Sequence, residues 1–171
     1  MKQIKIVVLG EPMGKQRPKF SNANGFVKTY TPKETANYES LVRQAYLEQA
    51  QKENFTPFEP NKEIYAIIHA YFKIPKSHYK LRKKTGKVEL DKKGQEMAQE
   101  KILPTKKPDC DNIAKICLDG LNGVAFYDDS QVVYLAVSKM YSDNHPRVEI
   151  SLIDYDEGEN EWVIQFIHGK M

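Results

Sequence analysis

Cysteine is scarce: only Cys110 and Cys117 occur in 171 residues. Two thiols cannot build a disulfide framework or a cysteine-rich zinc centre, and a reducing compartment is the expected setting. Long apolar runs are missing as well. The longest, Val132 to Val137, falls far below the ~20 residues that span a bilayer. The first residues, Met1-Lys-Gln-Ile-Lys-Ile, lack the apolar core and small-residue cleavage site of a secretory signal. A cytoplasmic protein without a membrane partner is expected. There is no Gly-rich phosphate loop, because Gly10-Glu-Pro-Met-Gly-Lys-Gln does not have the required spacing. His69, His78, His145 and His168 are scattered without metal-ligand spacing, and no Ser-His-Asp order stands out. His69 falls within a predicted strand and reads as structural.

What is present is a polar, foldable composition. Hydrophobic residues make up 40% and charged residues 29%, with a mean hydropathy of −0.63. That fits one folded domain rather than a disordered chain. The net charge of +3 conceals an uneven distribution. Between Lys73 and Lys107 twelve Lys and Arg face four acids, a net of +8. Between Asp143 and Glu161 seven acids face one Arg, a net of −6. The basic stretch reads either as a solvated face or as a phosphate-contacting arm with salt-sensitive affinity.

Hydrophobic periodicity gives the elements. Ile4 to Leu9 reads as a first strand, followed by a cationic Gly/Pro loop to Lys19. Phe26 to Tyr30 reads as a short strand after the Asn24-Gly25 turn signal. A helix follows. Thr31, Pro32 and Glu34 form a predicted capping box, and Tyr38, Leu41, Val42, Ala45 and Tyr46 form its apolar stripe, fading near Asn54. Glu63 to Ile74 alternates as a strand. Residues 75–107 form a Lys-rich insert, read as mobile, with some helix near Asp91–Lys101. Asp109 to Leu121 is a second helix with Ile113, Ile116, Cys117, Gly120 and Leu121 buried, stopped by Asn122-Gly123. Cys110 and Cys117 are expected to pack on one side of it. Gln131 to Tyr141 is a strand with Val133, Leu135 and Val137 inward, and Arg147 to Leu152 is its expected antiparallel partner. Glu161 to Ile167 reads as an edge strand or a tail. The expected fold is α/β (α+β), one mixed sheet with two main helices packed on it. The expected domain covers 1–153, with an acidic extension over 154–171.

The chemistry concentrates between Lys107 and Gln131. Pro108 turns the chain away from helix just before Asp109 and Asp111, placing two acids at a helix start. Such acids read as caps or as ligands. Asp111, Lys115 and Asp119 follow one helical face, as a salt-bridged surface or as part of a site. Asp128-Asp129 lies beyond the helix, where Asx-turn chemistry is the ordinary explanation. If the intervening loop doubles back, three or four carboxylates meet beside one lysine. Crowded carboxylates need a cation. Oxygen ligands with open positions suit Mg²⁺ or Mn²⁺, which polarise phosphoryl oxygens and activate water.

The string Lys107-Pro-Asp-Cys-Asp-Asn-Ile-Ala-Lys-Ile-Cys-Leu-Asp-Gly-Leu-Asn-Gly, followed by Tyr-Asp-Asp-Ser-Gln-Val132, resembles the signature of the RusA family of Holliday junction resolvases. These are structure-specific endonucleases of bacteria and their prophages. Gly10-x-Pro12-x-x-Lys15-x-Arg17-Pro18 is similar to the family's opening loop. The resemblance implies Asp109, Asp111 and Asp129 as metal-binding catalytic carboxylates, Asp128 as an adjoining acid of the metal set, and Lys115 as the catalytic lysine. It implies a homodimer that uses Mg²⁺ to make paired nicks across a four-way DNA junction, in recombination and repair. Lys15, Arg17, Lys19, Lys76, Lys80, Arg82, Lys83, Lys84 and Lys107 are then the expected DNA-backbone contacts. Two rival readings are a branched-DNA-binding protein without cleavage and a metal phosphohydrolase acting on nucleotides.

Overall fold

The structure is a computed structural model that describes residues 2–23, 26–82, 86–143 and 145–155. Its centre is a four-stranded mixed sheet. The strands are β1 (Gln3–Leu9), β4 (Ile64–Lys73), β7 (Val132–Ser142) and β8 (Arg147–Asp154), in the order β1-β8-β4-β7. β8 runs antiparallel to both β1 and β4, and β4 runs parallel to β7. Two short hairpins lie outside the sheet: β2 (Lys19–Ala23) with β3 (Phe26–Tyr30), and β5 (Tyr79–Leu81) with β6 (Val88–Leu90).

Two helices, α1 (Lys33–Glu53) and α3 (Cys110–Leu121), cover one face of the sheet. Strand alternation supplies the sheet side of the core: Ile4, Ile6 and Val8 from β1, Ile64, Ala66, Ile68 and Ala70 from β4, and Val148, Ile150 and Leu152 from β8. The helices answer with Tyr38, Val42, Tyr46 and Ala50 from α1, and Ile113, Ile116, Cys117 and Leu121 from α3. The helices themselves meet at Gly120. A Cβ there would stand 2.8 Å from the Glu39 carbonyl oxygen and 2.8 Å from Val42 Cβ, so hydrogen at that position sets the approach. A short helix, α2 (Lys92–Ala98), packs the basic insert near β7. Its N-cap is Asp91, which accepts from the Gly94 N–H at 2.8 Å.

Much of the expected layout is present: both helices, the mixed sheet, and helix within the insert. Five details differ. The Thr31 capping box does not form: Pro32 is the N-cap without a side-chain cap bond, and Glu34 accepts from Gln16 of the opening loop instead. Leu41 is 41% exposed because the buried stripe of α1 follows Thr35, Tyr38, Val42, Tyr46 and Ala50, a narrower line. Arg147 to Leu152 does not pair with the strand before it. β4 lies between them, with its side chains buried from Ile64 to Ala66 and at Ile68 and Ala70, and β7 takes the edge. On that edge Val133 and Leu135 are 58% and 43% exposed, and of the three expected inward residues Val137 alone packs against the core. Cys110, at the first residue of α3, is exposed while Cys117 is buried. The predicted element at Glu161 to Ile167 and the Asn24-Gly25 turn lie outside the described residues.

Candidate active site

The opening loop and the start of α3 face each other across an open cleft of about 750 Å³, lined by residues 12–17 and by Lys107, Pro108, Asp109 and Asn112. Close packing at the base of the cleft holds the two sides together. The Lys15 N–H donates to the Asn112 carbonyl at 2.8 Å. A Cβ on Gly14 would stand 2.6 Å from Pro108 Cβ and 3.1 Å from Asn112 Cβ, so only glycine fits there without displacing the turn that carries Asp109. On the far side, Lys139 donates to the carbonyls of Lys106 and Pro108.

Asp109 is the N-cap residue of α3 by backbone position, yet its carboxylate makes no cap hydrogen bond. It is exposed and lines the cleft. Asp111 lies in the first helical turn, where it accepts from Asn112 Nδ2 at 3.2 Å and pairs with Lys115 at 3.3 Å. Both members of that pair are more than 60% exposed. An exposed i,i+4 pair contributes roughly 0.3–0.5 kcal/mol, too little to hold either side chain against a charged ligand.

The second acidic pair behaves differently. Asp128 caps the 3₁₀ turn Asp129–Gln131, accepting from the Ser130 N–H, while the Gln131 side chain reaches back to the Asp128 N–H. The Ser130 hydrogen bonds hold the Asp128 carboxyl below its ordinary range. Asp129 is exposed beside it. Neither is near the start of α3. The loop after α3 folds on itself, with the Gly123 N–H bonded to the Phe126 carbonyl and the Ala125 N–H to the Leu121 carbonyl. The chain then enters β7. Seven residue steps of β7 separate Val132 from Lys139, the residue that contacts Pro108; at ~3.3 Å per residue that is about 23 Å of strand. Accordingly, no group of three or more His, Cys, Asp or Glu among the described residues is placed to hold a metal.

The expected cations do not behave alike. Lys15 turns inward: its ammonium pairs with Glu39 of α1 and with Asp119 of α3 at 2.6 Å. Burial works against its charge, but the hydrogen bonds to Asp119 and Glu39 prevail and raise its pKa. Arg17 and Lys107 are exposed and line the cleft. Lys19, Lys76 and Lys80 are exposed, the last two on the basic insert, whereas Arg82 pairs with Glu89 at 3.0 Å. Lys83 and Lys84 lie outside the described residues. Sequence reasoning passed over Gly14, Glu39, Asn112 and Lys139. Only Asn112 carried a usable signal, as the amide directly after Asp111.

Residues 10–153 match the family model described as Endodeoxyribonuclease RusA. The chain belongs to that family. It is also 35% identical over 150 residues to the uncharacterized protein YqaN of Bacillus subtilis (strain 168), spanning 87% of this chain and 94% of that protein. The family is one of endodeoxyribonucleases. Mg²⁺ is commonly held by one or two carboxylates together with substrate phosphate. Asp109, uncapped at the cleft, and Asp111 fit that requirement in ligand type and number. Asp129, the third carboxylate that the resemblance implies, lies at the other end of β7 and does not reach them within one chain.

Proposed function

We propose that the protein is a Mg²⁺-dependent endonuclease that resolves four-way DNA junctions by paired symmetric nicks, acting as a homodimer in bacterial recombination and repair. The observation that carries this reading is the uncapped Asp109 in a cleft with Arg17 and Lys107, beside the exposed Asp111–Lys115 pair. The family match over 10–153 supports a nuclease domain within 1–153, with 154–171 as an extension.

Asp109 and Asp111 would hold the metal, with Asp129 contributed by a second copy. Mg²⁺ held there, or Mn²⁺ in its place, would supply polarisation of a phosphoryl oxygen and a more acidic water. Arg17 and Lys107 grip the backbone phosphates at the cleft, with Lys19, Lys76 and Lys80 extending the track. Lys115 exchanges its weak pair with Asp111 for the scissile phosphate, where charge develops during attack. In-line attack by water leaves 5′-phosphate and 3′-hydroxyl ends. Asp128 stays out of this set because its carboxylate is engaged in capping. The exposed Val133 and Leu135 on the β7 edge, close in the chain to Asp129, support a two-fold contact there.

The test is cleavage of a synthetic four-way junction, a linear duplex and free nucleotides, with and without Mg²⁺. Paired nicks confined to the junction and to Mg²⁺ are expected. Asp111→Asn should bind the junction with near-normal affinity and cut at least about 100-fold more slowly. Full activity in that variant would remove Asp111 from the site. A gel shift without nicks in the wild type would replace the nuclease reading by a binding one.

A further inference from the structure

Lys139 occupies a position where strand alternation calls for an apolar residue. Its cross-strand partner in β4 is Ala70, which is fully buried on the helix-facing side, and Val137, two residues earlier, packs against the core on that same side. The lysine stem therefore enters the layer between sheet and helices, and its ammonium lies 5.9 Å from the centre of the Phe72 ring. Among the described residues no carboxylate pairs with it. Instead Nζ donates to the Lys106 carbonyl at 2.7 Å and to the Pro108 carbonyl at 3.0 Å. Those two carbonyls flank Lys107 and immediately precede Asp109, so one side chain bonds both ends of the turn that presents two cleft residues. A methionine would fill the same space without the donors, leaving both carbonyls without this partner.

We infer that Lys139 is a positioning residue of the nuclease site: through the Lys106 and Pro108 carbonyls it fixes the turn that aims Asp109 and Lys107 into the cleft, and it makes no contact with DNA. The inference rests on the nuclease reading for its kinetic consequence and on geometry alone for the anchoring. Its signature is a split between binding and cleavage. A lysine that neutralises a phosphate contributes about one unit to the dependence of log affinity on log salt. A lysine bonded to two carbonyls contributes nothing to that slope, and its loss appears in the rate at saturating DNA, where misplacement of a reacting group by about 1 Å costs on the order of 100-fold.

The experiment compares full-length wild type, Lys139→Met and Lys139→Arg. Junction affinity is measured over a salt series without divalent metal, and single-turnover cleavage at saturating junction with Mg²⁺. Hydrogen–deuterium exchange of the peptide spanning 105–112 is followed in the free protein. Lys139→Met is expected to keep the wild-type salt slope and an affinity within about twofold, and to cut about 10- to 100-fold more slowly. Exchange across 105–112 should be faster, and Lys139→Arg, which restores donors, should recover most of both losses. A salt slope lower by about one, with weakened binding and a normal rate at saturation, would make Lys139 a phosphate contact and overturn the inference. Unchanged exchange in Lys139→Met would overturn it as well. If the wild type cuts no junction, the nuclease reading fails by itself, and the exchange comparison still decides whether Lys139 holds the turn.

Discussion

An aspartate at the start of a helix or turn ordinarily folds its carboxylate back onto backbone N–H groups. Asp128 does so and Asp109 does not, so the Asp109 carboxylate is open to a ligand while that of Asp128 is engaged. Asp128→Asn keeps a side-chain acceptor, so junction cleavage is expected within about threefold of wild type, whereas Asp129→Asn is expected to abolish it. Gel assays under single-turnover conditions distinguish the two, and equal loss in both variants would return Asp128 to the metal set. The capping bonds hold the folded-state pKa of Asp128 below its ordinary value. The turn is therefore supported at any pH above the ordinary carboxylate range, and this support fades only as pH falls through the lower folded value. Neighbouring aspartates look alike in a sequence; which one caps is a matter of rotamer and backbone angle, and periodicity carries no record of it. Lys15 and Arg17 divide in the same way. Two residues apart in one cationic loop, one turns in to Glu39 and Asp119 and the other lines the cleft. Gly14→Ala tests the packing of that loop against the start of α3. The added Cβ meets the Pro108 ring, a rigid neighbour, and overpacking of this kind costs about 1–3 kcal/mol. The expected result is a fall in cleavage of at least about tenfold, with melting lowered by a few degrees.

At the scale of elements, the site depends on how α1 and α3 cross. Glu39 of α1 and Asp119 of α3 share Lys15, and Gly120 allows the close approach that brings them within reach. Gly120→Ala forces its Cβ against the Glu39 carbonyl and Val42. Helix propensity alone favours alanine by roughly 0.8–1 kcal/mol, but overpacking of about 1–3 kcal/mol opposes it. Net destabilisation is expected, read as a lower urea midpoint with an unchanged slope. A more stable variant would show that the helices separate easily. The helices were legible in the sequence because their apolar spacing follows 3.6 residues and because Asn122-Gly123 marks an end. The pairing of strands was not legible. Arg147 to Leu152 follows the preceding strand across a short turn, which ordinarily means a hairpin, yet β4 is seated between the two. Alternation identifies a strand and its faces but contains no term for which neighbour it hydrogen-bonds. The same gap explains Val133 and Leu135: their alternation predicted an inward face, and an edge position with little helix above it left them exposed.

Across the whole molecule, the two acidic groups sit at opposite ends of the α3–β7 unit. α3 starts beside Lys139 and ends near the loop that leads to Asp129, so helix and strand run in opposite directions. No side-chain rearrangement spans about 23 Å of strand, but a two-fold axis could, by placing the Asp129 end of one chain against the Asp109 end of another. The sequence motif implies that these acids act together, and it carries no information on whether one chain or two would be needed, because spacing along a chain does not report which copy completes a site. Mixed dimers decide the matter. Asp111→Asn and Asp129→Asn are each expected to be inactive alone. If each site takes Asp109 and Asp111 from one chain and Asp129 from the other, a dimer of one Asp111→Asn chain and one Asp129→Asn chain holds one doubly damaged site and one intact site. Co-refolding equal amounts gives such mixed dimers in about half the population by random pairing, and nicking of one junction strand should return, without the paired cut. If each site lies within one chain, both sites of the mixed dimer carry a lesion and no activity returns. Recovery of single nicks thus requires a site built across the two copies, and its absence, with mixed dimers verified by native mass spectrometry, would confine Asp129 to another role.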